Sequence, residues 1–371
     1  MTHLLATTQG DPTFLQEFYF FLCVVVFLFG LFLGSFYNVC IYRIPLGLSV
    51  NRPRRSFCFR CGSQIRWYDN LPILSYLLLR GQCRQCGARF SPRYLAVELL
   101  TGIVFLAVFV GTNPPGSEAF QVATLWYLAF ASLLIVGTFT DIDHWIIPDG
   151  VTIWGTFAAL AASIPIGLID QWPLLTEFGP FPLLREYWDE DLFTIMLALS
   201  QGPQMLDLPP EAHRWWDAPA NAAIGAAFGF SLLYSIGVIG KVLFRKDAMG
   251  FGDVKLFALI GAALGMFGSL LTLFLACLLG VIGGGVGMIL SAVRENPSSV
   301  LQESPALLEE SPGRPLEEVP PAVRRLEEIA RSAPRPRSVH HLPFGPWIAL
   351  GALMVLIFHQ PLQRLVAQWL F

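Results

Sequence analysis

Charge is what this sequence has least of. Only 14% of its residues are Asp, Glu, Lys or Arg, against roughly 25% in soluble globular domains. Hydrophobic residues make up 54%, and together these proportions exclude a water-soluble protein and place most of the chain in a bilayer. Net charge is −3 at pH 7, so bulk electrostatics say little about partners, and no nucleic acid is expected among them. Met1 to Phe14 lacks any Lys or Arg ahead of the first apolar run. That is a poor match to a cleaved signal peptide, so the first apolar segment is expected to remain as an anchor.

What the chain does have is apolar runs of spanning length. A hydrocarbon core of about 30 Å needs about 20 helical residues. Eight stretches meet or approach that length, near 17–41, 95–111, 121–140, 150–169, 219–244, 254–269, 271–293 and 344–360. Helices are expected because a span must satisfy its own backbone groups in lipid. The expected fold is therefore an all-α polytopic membrane protein of about eight transmembrane helices.

Charge is also unevenly placed, and the asymmetry gives an orientation. Between Tyr42 and Tyr94 lie Arg43, Arg52, Arg54, Arg55, Arg60, Arg66, Arg80, Arg84, Arg89 and Arg93, with Asp69 as the one acid. The loop 170–218 is acidic, with only Arg185 and Arg214 as cations. Positive-inside logic puts 42–94 in the cytoplasm, and alternating spans then put residues 1–16 and 170–218 outside. On that count 95–293 forms the membrane core, 294–343 a cytoplasmic insertion, and 344–371 the last span and tail. The insertion is rich in Pro, Glu and Arg and is expected to be mostly disordered, with one short helix at 320–332. Trp172, Trp188, Trp215 and Trp216 in the outer loop are read as interfacial aromatics. Glycines 280, 283, 284, 285 and 287 lie within an apolar span and read as a helix-packing surface rather than a nucleotide loop.

Seven cysteines fall into two groups. Cys23, Cys40 and Cys277 lie in or beside apolar runs and read as small hydrophobes. Cys58-x-x-Cys61 and Cys83-x-x-Cys86 sit in the basic loop with 21 residues between the pairs. Two such knuckles supply four thiolates in tetrahedral reach of one Zn²⁺. A pair of disulfides is the alternative, and a reducing cytoplasm argues against it. With no open coordination position, the metal is expected to fold a small lobe rather than to catalyse.

Two aspartates sit at water–hydrocarbon boundaries, where an ionisable side chain is costly and reads as functional. Asp141 follows the apolar run 125–139, and Asp253 heads another after Gly250-Phe251-Gly252. A structural reading exists for each. Asp253 could cap a helix, and Asp141 could pair with an Arg or with His144. Neither explains why both acids fall on the same expected face. Asp149 most simply caps the helix beginning at Gly150, and Asp143 reads as an interfacial anchor or a supporting group.

These residues resemble a family. Asp141-Ile142-Asp143-His144-Trp145-Ile146-Ile147-Pro148-Asp149 and Gly250-Phe251-Gly252-Asp253-Val254-Lys255 are similar to the two signatures of type IV prepilin peptidases, GxGD-type aspartic proteases of the bacterial inner membrane. Gly34-Ser35-Phe36-Tyr37-Asn38-Val39 through Arg43 and Pro45, Pro92-Arg93-Tyr94 to Glu98, and Pro343-Phe344-Gly345-Pro346 agree with it. The resemblance spans the chain apart from the 170–218 and 294–342 loops. It implies that Asp141 and Asp253 are the catalytic pair, with Asp143 the lesser candidate. It also implies cleavage of the basic leader of prepilins and pseudopilins after a Gly on the cytoplasmic face. The new terminus, commonly Phe, would then be N-methylated from S-adenosylmethionine. The four-cysteine lobe accompanies the bifunctional members.

Two other classes compete. A presenilin-like intramembrane protease would use the same dyad on transmembrane substrates, but the cysteine lobe and the 34–45 motif favour the prepilin reading. A proton-coupled transporter predicts acids near mid-membrane and internal repeats, and the sequence has neither. Membrane lipids are expected partners of the arginine-rich loop. No soluble Gly-rich methyltransferase fold is present, so a methyl-donor site must come from the lobe and nearby span ends. Glu98 is its leading candidate, set against a structural ion pair with Arg93 or Arg43.

Overall fold

Every long element in the computed structural model of the chain is a helix, as backbone in lipid requires. The structure describes residues 12–51, 56–58, 60–113, 123–168, 217–245, 249–293 and 344–358. The outer loop 170–216 with its tryptophans, the insertion 294–343 with its expected short helix, and the first eleven residues therefore lie outside the described residues.

The helices are α1 (Pro12–Arg43), α2 (Leu74–Leu78), α3 (Arg93–Thr112), α4 (Ala123–His144), α5 (Asp149–Leu168), α6 (Asp217–Phe244), α7 (Phe251–Val293) and α8 (Gly345–Ile357). Six of them are long and apolar enough to cross a membrane, and α8 is a shorter apolar helix. Large apolar side chains such as Phe20, Val242 and Val281 stand exposed on the outer surface. The chain is a multi-pass membrane protein.

One boundary differs from expectation. The spans expected at 254–269 and 271–293 are the two arms of α7, whose 43 residues would run about 65 Å if straight, twice the hydrocarbon thickness. It is broken at Gly265, where φ is 74° and ψ −177°, a region open essentially to glycine alone. The break falls at Gly265 and not at 269–271. Both arms are apolar all round, so hydropathy cannot show where one ends. The Ser269 hydroxyl donates to the Gly265 carbonyl at 2.7 Å, which satisfies backbone at the break without water.

Glycines set how closely the helices approach. α6 runs antiparallel to the first arm of α7, with Gly225 against Gly261 and Gly229 against Phe257. A Cβ added at Gly229 would stand 2.5 Å from the Phe257 carbonyl oxygen. α8 runs antiparallel to the second arm, with Gly351 on Thr272 and Ala276, and Trp347 on Gly280 and Gly283. The helix-packing reading therefore holds for Gly280 and Gly283, while Gly284 meets open space. α1 packs on α3 in the same way, with Gly30 on Gly102 and Gly34 on Glu98.

The contacts sort the helix ends onto two faces. On one, Asn38 of α1 donates to the Tyr94 carbonyl of α3 at 3.1 Å. On the same face Arg93 pairs with Asp143 of α4, and Lys255 of α7 with Asp149 of α5, each at 2.6 Å. On the other, Tyr19 of α1 donates to the Asn113 carbonyl just past α3 at 2.9 Å, and Thr112 and Asn113 bond Thr124 of α4. The cysteine segment joins α1 to α3 on the first face, which also carries Asp141 and Asp253.

Gly265→Ala and Gly261→Val are expected to lower the thermal unfolding midpoint of the detergent-purified chain. The first forces a strained backbone worth about 1–3 kcal/mol, and the second drives a side chain into the Gly225 carbonyl. Gly284→Ala, in open space, should unfold as wild type does in the same scanning-fluorimetry run.

Candidate active site and metal centre

Asp141 lies in the last turn of α4, and the chain leaves that helix abruptly. The Trp145 N–H closes on the Asp141 carbonyl at 2.9 Å while Trp145 itself takes a left-handed φ of 59°. That conformation costs a non-glycine residue about 1–2 kcal/mol. It sends Ile146 to Pro148 back towards α5, which starts when the Val151 and Thr152 N–H groups take the Pro148 carbonyl.

The Asp141 side chain is buried and its carboxylate lies against the backbone of Gly345, the first residue of α8. The residue before it, Phe344, makes no side-chain cap, so α8 has an orphan N–H that needs an acceptor. Asp141 presents its carboxylate there from another helix, at the helix end where negative charge is favoured. Gly345 is required for this approach, because a Cβ there would stand 2.5 Å from Asp141 Oδ2 and 3.2 Å from Ile147 Cδ1. The pairing of Asp141 with an Arg or with His144, weighed from sequence, is replaced by this backbone contact.

Asp253 sits in the first turn of α7, two residues inside its start at Phe251, so it is not the helix cap. At the α7 terminus Gly252 faces Ile147, where a Cβ would make ordinary contact at 3.4 Å from Ile147 Cβ. Ile147 thus touches the sites of both Gly345 and Gly252. Around this wedge Asp141 and Asp253 come close enough for their charges to interact.

The flanking acids do other work. Asp149 does not act as the expected cap; its carboxylate takes the Lys255 ammonium at 2.6 Å, and Lys255 also lies over the Phe251 ring, 5.0 Å from its centroid. This pair ties the start of α5 to the start of α7. Asp143 takes the Arg93 guanidinium at 2.6 Å and so ties α4 to α3. Glu98 pairs with neither Arg93 nor Arg43: it accepts the Ile73 N–H at 2.8 Å and the Ser35 hydroxyl. The Gly345, Lys255 and Ser35 partners were not expected from sequence. Only the Phe344-Gly345-Pro346 helix start left any local signal.

Cys58, Cys61, Cys83 and Cys86 converge, with all four sulfurs within 4.8 Å of one another. Tetrahedral coordination at about 2.3 Å from a Zn²⁺ places sulfurs about 3.8 Å apart. The pairs Cys58–Cys86 at 3.7 Å and Cys61–Cys83 at 4.0 Å match it. The two knuckles are copies of each other. Gly62 and Gly87, both left-handed, donate back to the Cys58 and Cys83 carbonyls, and those cysteines donate to Ser63 and Ala88. The bridges Phe57–Gln64 and Gln82–Arg89 repeat the match. Asp69 and Arg84 form a doubly bonded ion pair that pins the second knuckle to the 3-10 turn at Trp67–Asn70 and holds the Asp69 carboxyl below its usual range. Burial pushes the Cys58 thiol up to about 12. Cys61 is raised by burial too, but the Ser63 hydroxyl and N–H outweigh that and bring it down to about 7.

Fold and site first define a class: a polytopic membrane protein with two interacting carboxylates at one face and a four-cysteine lobe on the same side. The comparisons with known proteins then narrow it. The bacterial peptidase A24 N-terminal domain matches residues 28–112, and the type IV leader peptidase family matches 193–285. Asp253 lies inside the second match and Asp141 outside both. A prepilin leader peptidase/N-methyltransferase of Myxococcus xanthus is 32% identical over 389 residues, covering 99% of this chain and 96% of the relative. One from Klebsiella pneumoniae is 33% identical over 272 residues, covering 71% and 95%. One from Aeromonas hydrophila is 33% identical over 290 residues, covering 72% and 81%. No solved structure matches. The chain belongs to the type IV leader peptidase family.

Gly345→Ala is expected to displace the Asp141 carboxylate and lower peptidase turnover of the purified protein at least about tenfold, a barrier change of about 1.4 kcal/mol, with normal membrane insertion. The cysteine cluster should bind about one zinc per chain by metal analysis. Its thiols must lose protons to bind, so moving from about pH 8 to about pH 6 should weaken zinc at least about tenfold in chelator competition.

Proposed function

We propose that this chain is a bifunctional membrane enzyme that removes the leader of prepilins and pseudopilins and methylates the new N-terminus. The single observation that carries the peptidase half is the meeting of Asp141 and Asp253 around Ile147 at one helix-end face. Two relatives' names, given above for Myxococcus xanthus and Klebsiella pneumoniae, supply the substrate class and the second activity.

Two carboxylates this close in a poorly hydrated site cannot both ionise cheaply, so they share a proton. The ionised one takes a proton from water as the water oxygen attacks the scissile carbonyl carbon. The protonated one gives its proton to the carbonyl oxygen. As the tetrahedral adduct collapses, the C–N bond breaks and the amine nitrogen takes up a proton. The apparent pKa values belong to the pair, and neither residue alone is the acid. We place this face in the cytoplasm of a cell whose inner membrane holds the spans, because the arginines cluster on it. There a prepilin's apolar helix lies in lipid while its charged leader stays in water. The arginines then meet anionic headgroups, not the basic leader.

The metal lobe is assigned Zn²⁺, on four converging thiols with no open position, and its role is to hold the lobe together. S-adenosylmethionine is the assigned methyl donor; when bound it would supply its sulfonium methyl to the lone pair of the new terminal amine, leaving as the neutral thioether while the amine's proton passed to water. A presenilin-like or transporter reading leaves the metal lobe and the relatives' second activity without a role.

Asp141→Asn and Asp253→Asn should each abolish cleavage of a purified prepilin, read by gel shift and product mass, with expression and insertion unchanged. Asp143→Asn, which removes an ion-pair partner of Arg93, should keep most activity. Full cleavage by either of the first two would refute the aspartic mechanism, and loss with Asp143→Asn alone would move the assignment.

A further inference from the structure

The lobe does not sit flush on the membrane helices. Between them lies an open-mouthed cleft of about 160 Å³. The helices contribute Ser35, Asn38, Tyr94 and Glu98, and the lobe Tyr76 and Phe90. Neither the peptidase mechanism nor the metal centre uses it.

Three features of its wall specify a ligand. Glu98 is a carboxylate on an apolar helix whose partners among the described residues are neutral donors, the Ile73 N–H and the Ser35 hydroxyl. The cavity's own cation, Arg43, donates to the Ser49 and Val50 carbonyls, and a ligand cation would suit the Glu98 carboxylate. Asn38 spends its amide N–H on the Tyr94 carbonyl, while its buried Oδ1 has no partner. Such an acceptor costs about 1–3 kcal/mol unless a donor reaches it. Tyr76, Phe90 and Tyr94 add aromatic surface that suits a flat base and attracts a cation through ring faces. Tyr76 is fixed in place, its ring against Gly81 and its hydroxyl on the Phe90 carbonyl.

We propose that this cavity is where the chain binds S-adenosylmethionine, with Glu98 facing the sulfonium and ammonium charges and the aromatic wall taking the adenine. The inference rests on the methyltransferase reading above and gives it a place. The donor fits because one small molecule combines a cation for Glu98, hydrogen-bond donors for Asn38 Oδ1 and a flat ring for the aromatic wall. The cavity also lies on the dyad's face, separated in sequence by one step, since Tyr94 follows the Arg93 that pairs with Asp143 beside Asp141. A terminus freed at the dyad thus emerges on the cavity's side of the membrane.

The test is equilibrium binding of S-adenosylmethionine and of S-adenosylhomocysteine, which lacks the sulfonium charge, to the full-length zinc-loaded protein in detergent. Leader cleavage on the same preparations reports folding. Wild type should bind the sulfonium form more tightly. Glu98→Gln, which keeps an acceptor for Ile73, should weaken it at least about tenfold and reduce its advantage over the thioether form. Tyr76→Leu should weaken both forms about equally, and it carries the test if Glu98→Gln misfolds. Ultraviolet cross-linking of the labelled donor should map to peptides within 35–98. Donor binding that both variants leave unchanged, with the cross-link outside 35–98, would overturn the site while leaving the methyltransferase reading intact. No donor binding by wild type, and no methylation of a pre-cleaved pilin, would overturn both.

Discussion

The structure turns on one contact: the Asp141 carboxylate against Gly345 at the start of α8. It joins the end of α4 to the start of α8, and the absence of any side chain on Gly345 permits it. The surrounding devices serve the same convergence. Trp145 takes a left-handed backbone so that Ile147 can return beneath Asp141, and Gly252 faces Ile147 at the α7 terminus. The Lys255–Asp149 pair then holds α5 and α7 together beside the site. Even the break at Gly265 belongs here. It turns α7 back so that its second arm can pack on α8 and bring Gly345 to the dyad.

A second tie runs from this centre to the lobe. Arg93 starts α3 and pairs with Asp143, two residues from Asp141, and one turn further along α3 Glu98 grips the lobe through Ile73. Ile73 itself has a left-handed φ of 60°, a conformation costly for a β-branched residue and held by that bond. Cysteine cluster, lobe and dyad are thus linked through one helix. Damage to the knuckles is expected to disturb methyl transfer at least as much as cleavage, since the cavity is walled by the lobe.

Much of this was legible in the sequence, for physical reasons. Run lengths announce helices in lipid, and cysteine spacing announces four converging thiols, because each signal is local. Asp141 and Asp253 stood out in the sequence because a carboxylate at a hydrocarbon boundary is costly, and the structure brings them onto one face. What stayed hidden were contacts between residues far apart in the chain. Nothing near Asp149 reveals Lys255, 106 residues away, so a cap was the natural reading. Glu98 was weighed against an arginine pair because Arg93 is near in sequence and Arg43 ends the preceding span, yet Arg93 faces Asp143 instead. The break at Gly265 was displaced by a few residues because an apolar helix continues on both sides of it.

The most direct test of a shared-proton pair is the pH dependence of kcat/KM for prepilin cleavage by the wild-type protein. One shared proton means activity must fall on both sides, giving a bell whose two limbs belong to the pair. Asp143→Asn should keep both limbs where they are. A profile with a single limb, or one whose limb moves with Asp143→Asn, would contradict the account.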